Sequence, residues 1–224
     1  FPWWWMDFGP GIVAGFLGAT VHSVTEPLET VWFSPPRDAT LAELDFAYDP
    51  DNVWWQRVQA ITMAAVERFG AAVAVSHTDL GGNLDVVASF RTTQNLLTDL
   101  YDAPEEVERL VGEVTRLWLR HYDELYAIIA PTCPGANCWA PIWSSGTNYM
   151  LQCDFAYMIS PAMFERFVMP DLVACCDHLE NGFYHLDGSG QIPHLDMLLS
   201  IERLRGMSPY WATAPQTCTG KSGT

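Results

Sequence analysis

Phe183-Tyr184-His185-Leu186-Asp187-Gly188 is a short apolar run that stops in two ligand-capable side chains and then in glycine, with His194-Leu195-Asp196 following. In a parallel α/β protein, a strand delivers chemistry to the carboxyl end of its sheet in this way. His185 and Asp187 are two residues apart, so on a strand both face one side. The pair reads as two ligands on one metal or as an acid–base pair. The plainer alternative is a core histidine held by a carboxylate. Burying two such groups on one face is costly without a purpose, which favours a functional role. His194 and Asp196 open a helix, where an acid is ordinarily a first-turn residue.

Outward from this strand the chain alternates. Residues 71–76 are a small, β-branched run suited to a buried parallel strand, ending in His77-Thr78-Asp79-Leu80-Gly81-Gly82. Residues 148–152 read as a strand ending in Cys153-Asp154, residues 183–185 as another, and residues 207–211 as a further one. Helices are expected over residues 12–17 and 53–69, the latter capped by Asp49-Pro50-Asp51-Asn52 and closed at Gly70. Residues 83–100 read as one or two short helices, residues 131–141 as a loop, and residues 192–204 as a helix. The strongest helix spans residues 104–129, with Val107, Leu110, Val111, Val114, Leu117, Trp118, Leu125 and Ile128 at helical spacing and Glu105 and Glu106 in its first turn. Ser160-Pro161 opens a helix to Phe167, which Pro170 interrupts before a second run to Leu179. Trp32-Phe33 meets Pro35-Pro36, which ends any strand there. The alternation predicts an α/β fold with a parallel sheet, and the recurring polar strand ends fit a (β/α)8 TIM barrel with one active face.

Composition narrows the function. The 224 residues carry a formal charge of −16, with 27 acids against 11 bases, and 49% are hydrophobic. This disfavours disorder, nucleic acid and anionic membrane surfaces. Lys221 is the lone lysine, so no Schiff-base lysine precedes it, and Gly220-Lys221-Ser222 has no strand leading into it, which makes its P-loop likeness chance. Irregularly spaced cysteines predict reduced thiols and a cytoplasmic protein. Cys133 and Cys138 bracket a Pro-Gly loop and read as a disulfide or half of a zinc site. No apolar run is long enough to span a bilayer. Residues 1–211 are expected to form one partial barrel, and residues 212–224 an unstructured or foreign tail.

At the other strand ends, His77, Asp79 and Asp85 surround a double glycine, which lets a ligand or another strand come close; the alternative is an Asx-type turn. Asp154 is a better functional candidate than Cys153, a residue type commonly buried as inert packing. Tyr149 and Tyr157 either line a pocket or fill the core. Arg91 either holds a substrate carboxylate or neutralises Asp85 or Asp79.

These residues resemble a known family. Ser160-Pro161-Ala162-Met163-Phe164-Glu165-Arg166-Phe167-Val168-Met169-Pro170 is similar to the Ser-Pro-x-x-Phe-x-x-Phe-x-x-Pro helix of the uroporphyrinogen decarboxylase superfamily, a (β/α)8-barrel group. Gly9-Pro10-Gly11 and residues 77–90 look like its uncharacterised decarboxylase-like members. The resemblance covers nearly all of residues 1–206 and implies a barrel truncated at both ends, since full-length members are longer. The superfamily's corrinoid-linked methyltransferases bind zinc through a His-x-Cys pair and a later cysteine. His185-Leu186-Asp187-Gly188 stands where His-x-Cys-Gly would be, with aspartate in place of the cysteine. The resemblance therefore implies zinc on His185 and Asp187; the reading of the strand ends adds Asp79, Asp154 and His77 as catalytic and Asp85, Arg91, Tyr149 and Tyr157 against substrate. The partners implied are a methylated small molecule or a corrinoid protein. Two rivals stand beside this reading: cofactor-free decarboxylation of a porphyrinogen or other polycarboxylate, and a non-catalytic barrel fragment.

Overall fold

A computed structural model describes residues 2–24, 30–133 and 135–209. Strands β1 (Trp3–Trp4), β2 (Thr20–Val24), β3 (Thr30–Ser34), β4 (Ala74–Val75), β5 (Ala136–Asn137), β6 (Trp143–Ser144), β7 (Asn148–Leu151), β8 (Asn181–Leu186) and β9 (Leu204–Pro209) alternate with helices α1 (Val13–Phe16), α2 (Val53–Phe69), α3 (Asn83–Arg91), α4 (Thr93–Asp102), α5 (Pro104–Ile129), α6 (Pro161–Phe167), α7 (Met169–His178) and α8 (Leu195–Leu199). The fold is mixed α/β. β7, β8 and β9 form a three-stranded parallel sheet in that order, β1 and β4 form a parallel pair, and the β2–β3 and β5–β6 ribbons are antiparallel. Among the described residues the two parallel pieces share no strand ladder and no helix is long and apolar enough to cross a membrane.

The helices follow their signals. Asn52 caps α2 by accepting from the Trp54 and Trp55 amides at 2.9 and 3.1 Å, and Ser160 caps α6 through the Met163 amide at 3.3 Å. In α5, Val107, Leu110, Val111, Val114, Leu117, Trp118 and Leu125 are all buried, so its expected stripe faces the core. Met169 restarts the helix with Pro170 in its first turn, where a missing N–H leaves nothing unpaired.

The departures have physical causes. Of residues 71–76, only Ala74–Val75 form a strand; Gly70–Ala72 make a 3-10 turn with Ala71 and Ala72 exposed, and a methyl side chain buries too little to hold a strand there. The helix expected over 192–204 is a 3-10 turn at Ser189–His194, which contains Pro193, followed by a short α8 that ends at Leu199. β9 accordingly starts at Leu204; residues 210 and 211 of the strand expected there, and the tail at 212–224, lie outside the described residues. The loop at 131–141 carries half of the β5–β6 ribbon. Cys133 and Cys138 are free buried thiols, not a disulfide. The β2–β3 hairpin escaped the pattern because Thr20, His22 and Ser23 are exposed and give β2 no apolar alternation.

His121 in α5 is 1% exposed among the rings of Trp55, Phe16 and Tyr48, at centroid distances of 4.4, 4.9 and 5.4 Å, and neither ring nitrogen has a hydrogen-bond partner. Burial pushes its pKa down to about 4. A folded pKa below the unfolded value means fewer protons bound in the native state, so this histidine costs stability as pH falls from about 6.5 through 4. His121→Phe is expected to gain roughly 2 kcal/mol over the wild type when both are moved from pH 7 to pH 4.5, by urea unfolding. An unchanged gap at the two pH values would remove the buried neutral imidazole from the account.

Candidate functional site

β8 alternates half-buried and buried along its length. Gly182, Tyr184 and Leu186 are buried; Gly182 sits against Cys176 of α7, so this face packs on the helices. Phe183, His185 and, just past the strand, Asp187 take the other side and keep partial access to solvent. The edge of the His185 ring meets Trp139 at 5.2 Å and 84°. β7 lies parallel alongside, with Leu151 opposite Tyr184, so its continuation brings Asp154 to the same rim. Asp154 has its carboxyl pKa raised, by desolvation first and then by the charge of Asp187, while His185 pulls it down. Asp154 at the end of β7 thus senses both His185 and Asp187 at the neighbouring strand end.

The β4 end packs below this rim. Asp79 is 6% exposed; its Oδ1 accepts the Gly81 amide at 2.9 Å, and the Gln152 side-chain amide donates to both carboxylate oxygens at 3.3 and 3.4 Å. Burial raises its pKa to about 7 against these bonds, with Asp154 and Asp7 adding repulsion. The Tyr149 hydroxyl accepts the Leu80 amide at 2.6 Å and donates to the Thr78 carbonyl at 3.2 Å, so it grips the backbone on both sides of Asp79. Tyr149 is therefore a positioning residue in the core.

Other candidates have structural partners. Asp85 accepts the amides of Asp154 and Phe155 at 2.9 and 2.7 Å, capping the 3-10 turn Asp154–Met158; burial and then Asp154 raise its pKa to about 7. His77 is 1% exposed, stacks on Tyr122 at 4.3 Å, meets the Tyr122 carbonyl through Nε2 at 3.2 Å and lies edge-on to the Tyr149 ring at 6.2 Å. Arg91 pairs with neither Asp85 nor Asp79: its guanidinium donates to both oxygens of Asp99 at 2.7 and 3.1 Å and to the Ala39 carbonyl. Tyr157 is exposed and lies over Gly190, where a Cβ would come within 2.5 Å of its ring. His194 is buried, stacked on Phe164 and bonded to the Ala156 carbonyl at 2.9 Å.

The double glycine serves chain crossing. Gly81 and Gly11, at φ +85° and +97°, meet backbone to backbone, and a Cβ on Gly81 would overlap Gly11 Cα. Two residues were missed. Gln152, buried beside Asp79, reads as strand filler in sequence. Asp7, exposed after β1 and accepting the Gly9 amide at 2.8 Å, lies in a stretch without strand periodicity.

A cavity of about 440 Å3 opens beside the rim, lined by Gly81, Gly82, Asp85, Gln152, Asp154 and Phe155 on one side and by Val31–Pro35 of the hairpin on the other. Asp154 thus belongs both to this cavity and to the His185–Asp187 group. Among the described residues no group of three or more His, Cys, Asp or Glu side chains could hold a metal ion. Cys153, the nearest thiol in sequence, is buried and its pKa is raised far above the thiol range by burial.

No family model and no curated protein matches this chain. Among solved structures it is similar to a methyltransferase from Methanosarcina mazei, with a TM-score of 0.68 and 15% sequence identity over 92% of this chain and 57% of that one. The chain thus spans a little over half the length of that protein, and the likeness is one of fold.

Tyr149→Phe keeps the ring and deletes the hydroxyl, leaving the Leu80 amide unpaired in the core. It is expected to cost about 1–3 kcal/mol in denaturant unfolding. A cost near zero would mean that the hydroxyl does not hold the Asp79 loop.

Proposed function

We propose that residues 1–211 form the larger part of a (β/α)8 barrel of the uroporphyrinogen decarboxylase superfamily, with residues 212–224 an appended tail. In this reading it is a cytoplasmic methyltransferase that moves a methyl group between a small molecule or a corrinoid protein and a thiol. The observation that carries the reading is the convergence of His185, Asp187 and Asp154 at adjacent parallel strand ends, beside an open cavity. The fold likeness to a methyltransferase supports it.

Zinc is tested by the donor set. A catalytic zinc takes three protein ligands. His185 and Asp187 would supply two, and the described residues complete no set of three. They do not fit the metal on their own, so the chemistry is derived without it. Asp154 lines the cavity and meets substrate. Asp79, directly behind Gln152, is about half protonated near neutrality and holds a proton for a departing group, the state a general acid requires. His77 is packed against α5 and takes no part in this scheme.

Decarboxylation of a polycarboxylate is the weaker reading. Among the described residues no lysine, arginine or histidine lines the cavity, and an acidic rim repels carboxylate substrates.

Two measurements test the proposal. If Asp79 delivers the proton, the rate of methyl transfer to a thiol falls as pH rises through about 7, and Asp79→Asn lowers it by about 10²-fold and removes that limb. A rate independent of pH between 6 and 8, in a variant that keeps full activity, would exclude Asp79. Metal analysis of the purified protein against His185→Ala decides the ligand role separately: stoichiometric zinc lost in the variant supports His185 as a ligand, and zinc retained in it excludes that role.

A further inference from the structure

The cavity beside the rim has a lining chemistry that selects a ligand class. Asp154 and Asp85 contribute acids, Trp32 and Phe33 of the hairpin contribute rings, Phe155 is packed in the core beneath, and among the described residues no lysine, arginine or histidine lines it. Its volume of about 440 Å3 suits a small molecule. The two acids are not equivalent. Both oxygens of Asp85 accept backbone amides, from Asp154 and Phe155, whereas no hydrogen bond or ion pair with the described residues holds the Asp154 side chain. Trp32 stands 61% exposed on the hairpin. Its ring is therefore not consumed by core packing.

We propose that this cavity binds a compact methylated onium cation, a quaternary ammonium or tertiary sulfonium, between the Asp154 carboxylate and the ring of Trp32. An anion finds no cationic side chain among the described lining residues, and His185 at the rim already faces Asp154. A hard metal ion needs several free oxygen ligands, and the cavity presents one uncommitted carboxylate. A neutral apolar ligand would strip water from Asp154 and return nothing. An onium cation carries its charge on a surface of methyl groups, needs no directed hydrogen bonds, and is attracted to aromatic faces. The formal charge of −16 adds a long-range field that concentrates cations near the protein. The inference rests on the proposed methyl transfer for one clause only, that the onium is the methyl donor, its methyl passing to a thiolate while a neutral amine or sulfide leaves without drawing on the Asp79 proton, which serves donors with an oxygen leaving group; the binding itself stands on the cavity.

Calorimetric titration of this chain with choline and with its neutral isostere 3,3-dimethylbutan-1-ol tests the charge requirement, and trimethylsulfonium tests whether sulfur replaces nitrogen. Choline is expected to bind about tenfold more tightly than the isostere. Asp154→Asn should bring that ratio close to one, and Trp32→Ala, at an exposed position, should weaken choline by about fivefold. Equal affinity of choline and isostere for the wild type overturns the proposal, as does a preference that survives Asp154→Asn. Choline bound with the expected preference but never demethylated keeps the onium site and rejects the methyl-transfer reading. Methyl transfer from neutral donors without onium binding does the reverse.

Discussion

The Tyr149 hydroxyl is the tie on which the arrangement of the rim depends. Among the described residues β1–β4 and β7–β8–β9 share no ladder. Backbone pairing therefore does not set the position of Asp79 relative to Asp154. Side chains of β7 and its continuation do so instead. Tyr149 bonds the backbone on both sides of Asp79, and Gln152 bonds its carboxylate. Trp118 of α5 adds a third hold, donating its indole N–H to the Gly81 carbonyl at 3.1 Å. Each partner is buried, where a broken bond leaves a polar group without water and the full desolvation cost appears.

A second layer of ties fixes the other rim loops. Gln191 accepts the Tyr184 hydroxyl at 3.0 Å and donates to the Cys153 carbonyl at 2.9 Å, joining β8 to the end of β7. His194 holds the Ala156 carbonyl, and Asp85 holds the two amides before it. The short turn carrying Asp154 is gripped at both ends by side chains that looked like candidates for chemistry. Much of the polar content near this rim is scaffold, and Asp154, Asp187 and the exposed ring of Trp32 are the groups that keep access to solvent there, with His185 half-buried against Trp139.

What could be read in the sequence follows this division. The β8 pair was legible because strand periodicity alone sends His185 and Asp187 to one side, and Leu186 between them to the other. α5 was legible because burial of its stripe repeats the 3.6 period over 26 residues. The role of Arg91 was not, since its partner Asp99 lies on the next helix and nothing local distinguishes it from Asp85. Nor was the role of Tyr149, whose partners lie about seventy residues away in the chain. The hairpin that lines the cavity was hidden for another reason: in its first strand Thr20, His22 and Ser23 are exposed, so β2 carries no hydrophobic alternation.

The acid distribution poses the remaining physical problem. Asp7, Asp79, Asp154 and Asp187 follow β1, β4, β7 and β8, so each of these parallel strands ends in a carboxyl group. Were all of them charged and buried, repulsion in a low-dielectric rim would work against the fold. Depth resolves the conflict. Asp79 and Asp85, the inner pair, have pKa values lifted to about 7 by burial and can stay protonated, while Asp7 is exposed and Asp154, exposed but partly desolvated beside Asp187, has its pKa raised as well. The linkage has a definite sign: folded values above the unfolded ones mean that stability from the inner acids is full below about pH 4 and is lost as pH rises through about 7. The rim is thus poised near neutrality between a stable protonated interior and a charged one, and a bound cation beside Asp154 would offset the charge that accumulates as the inner acids ionise.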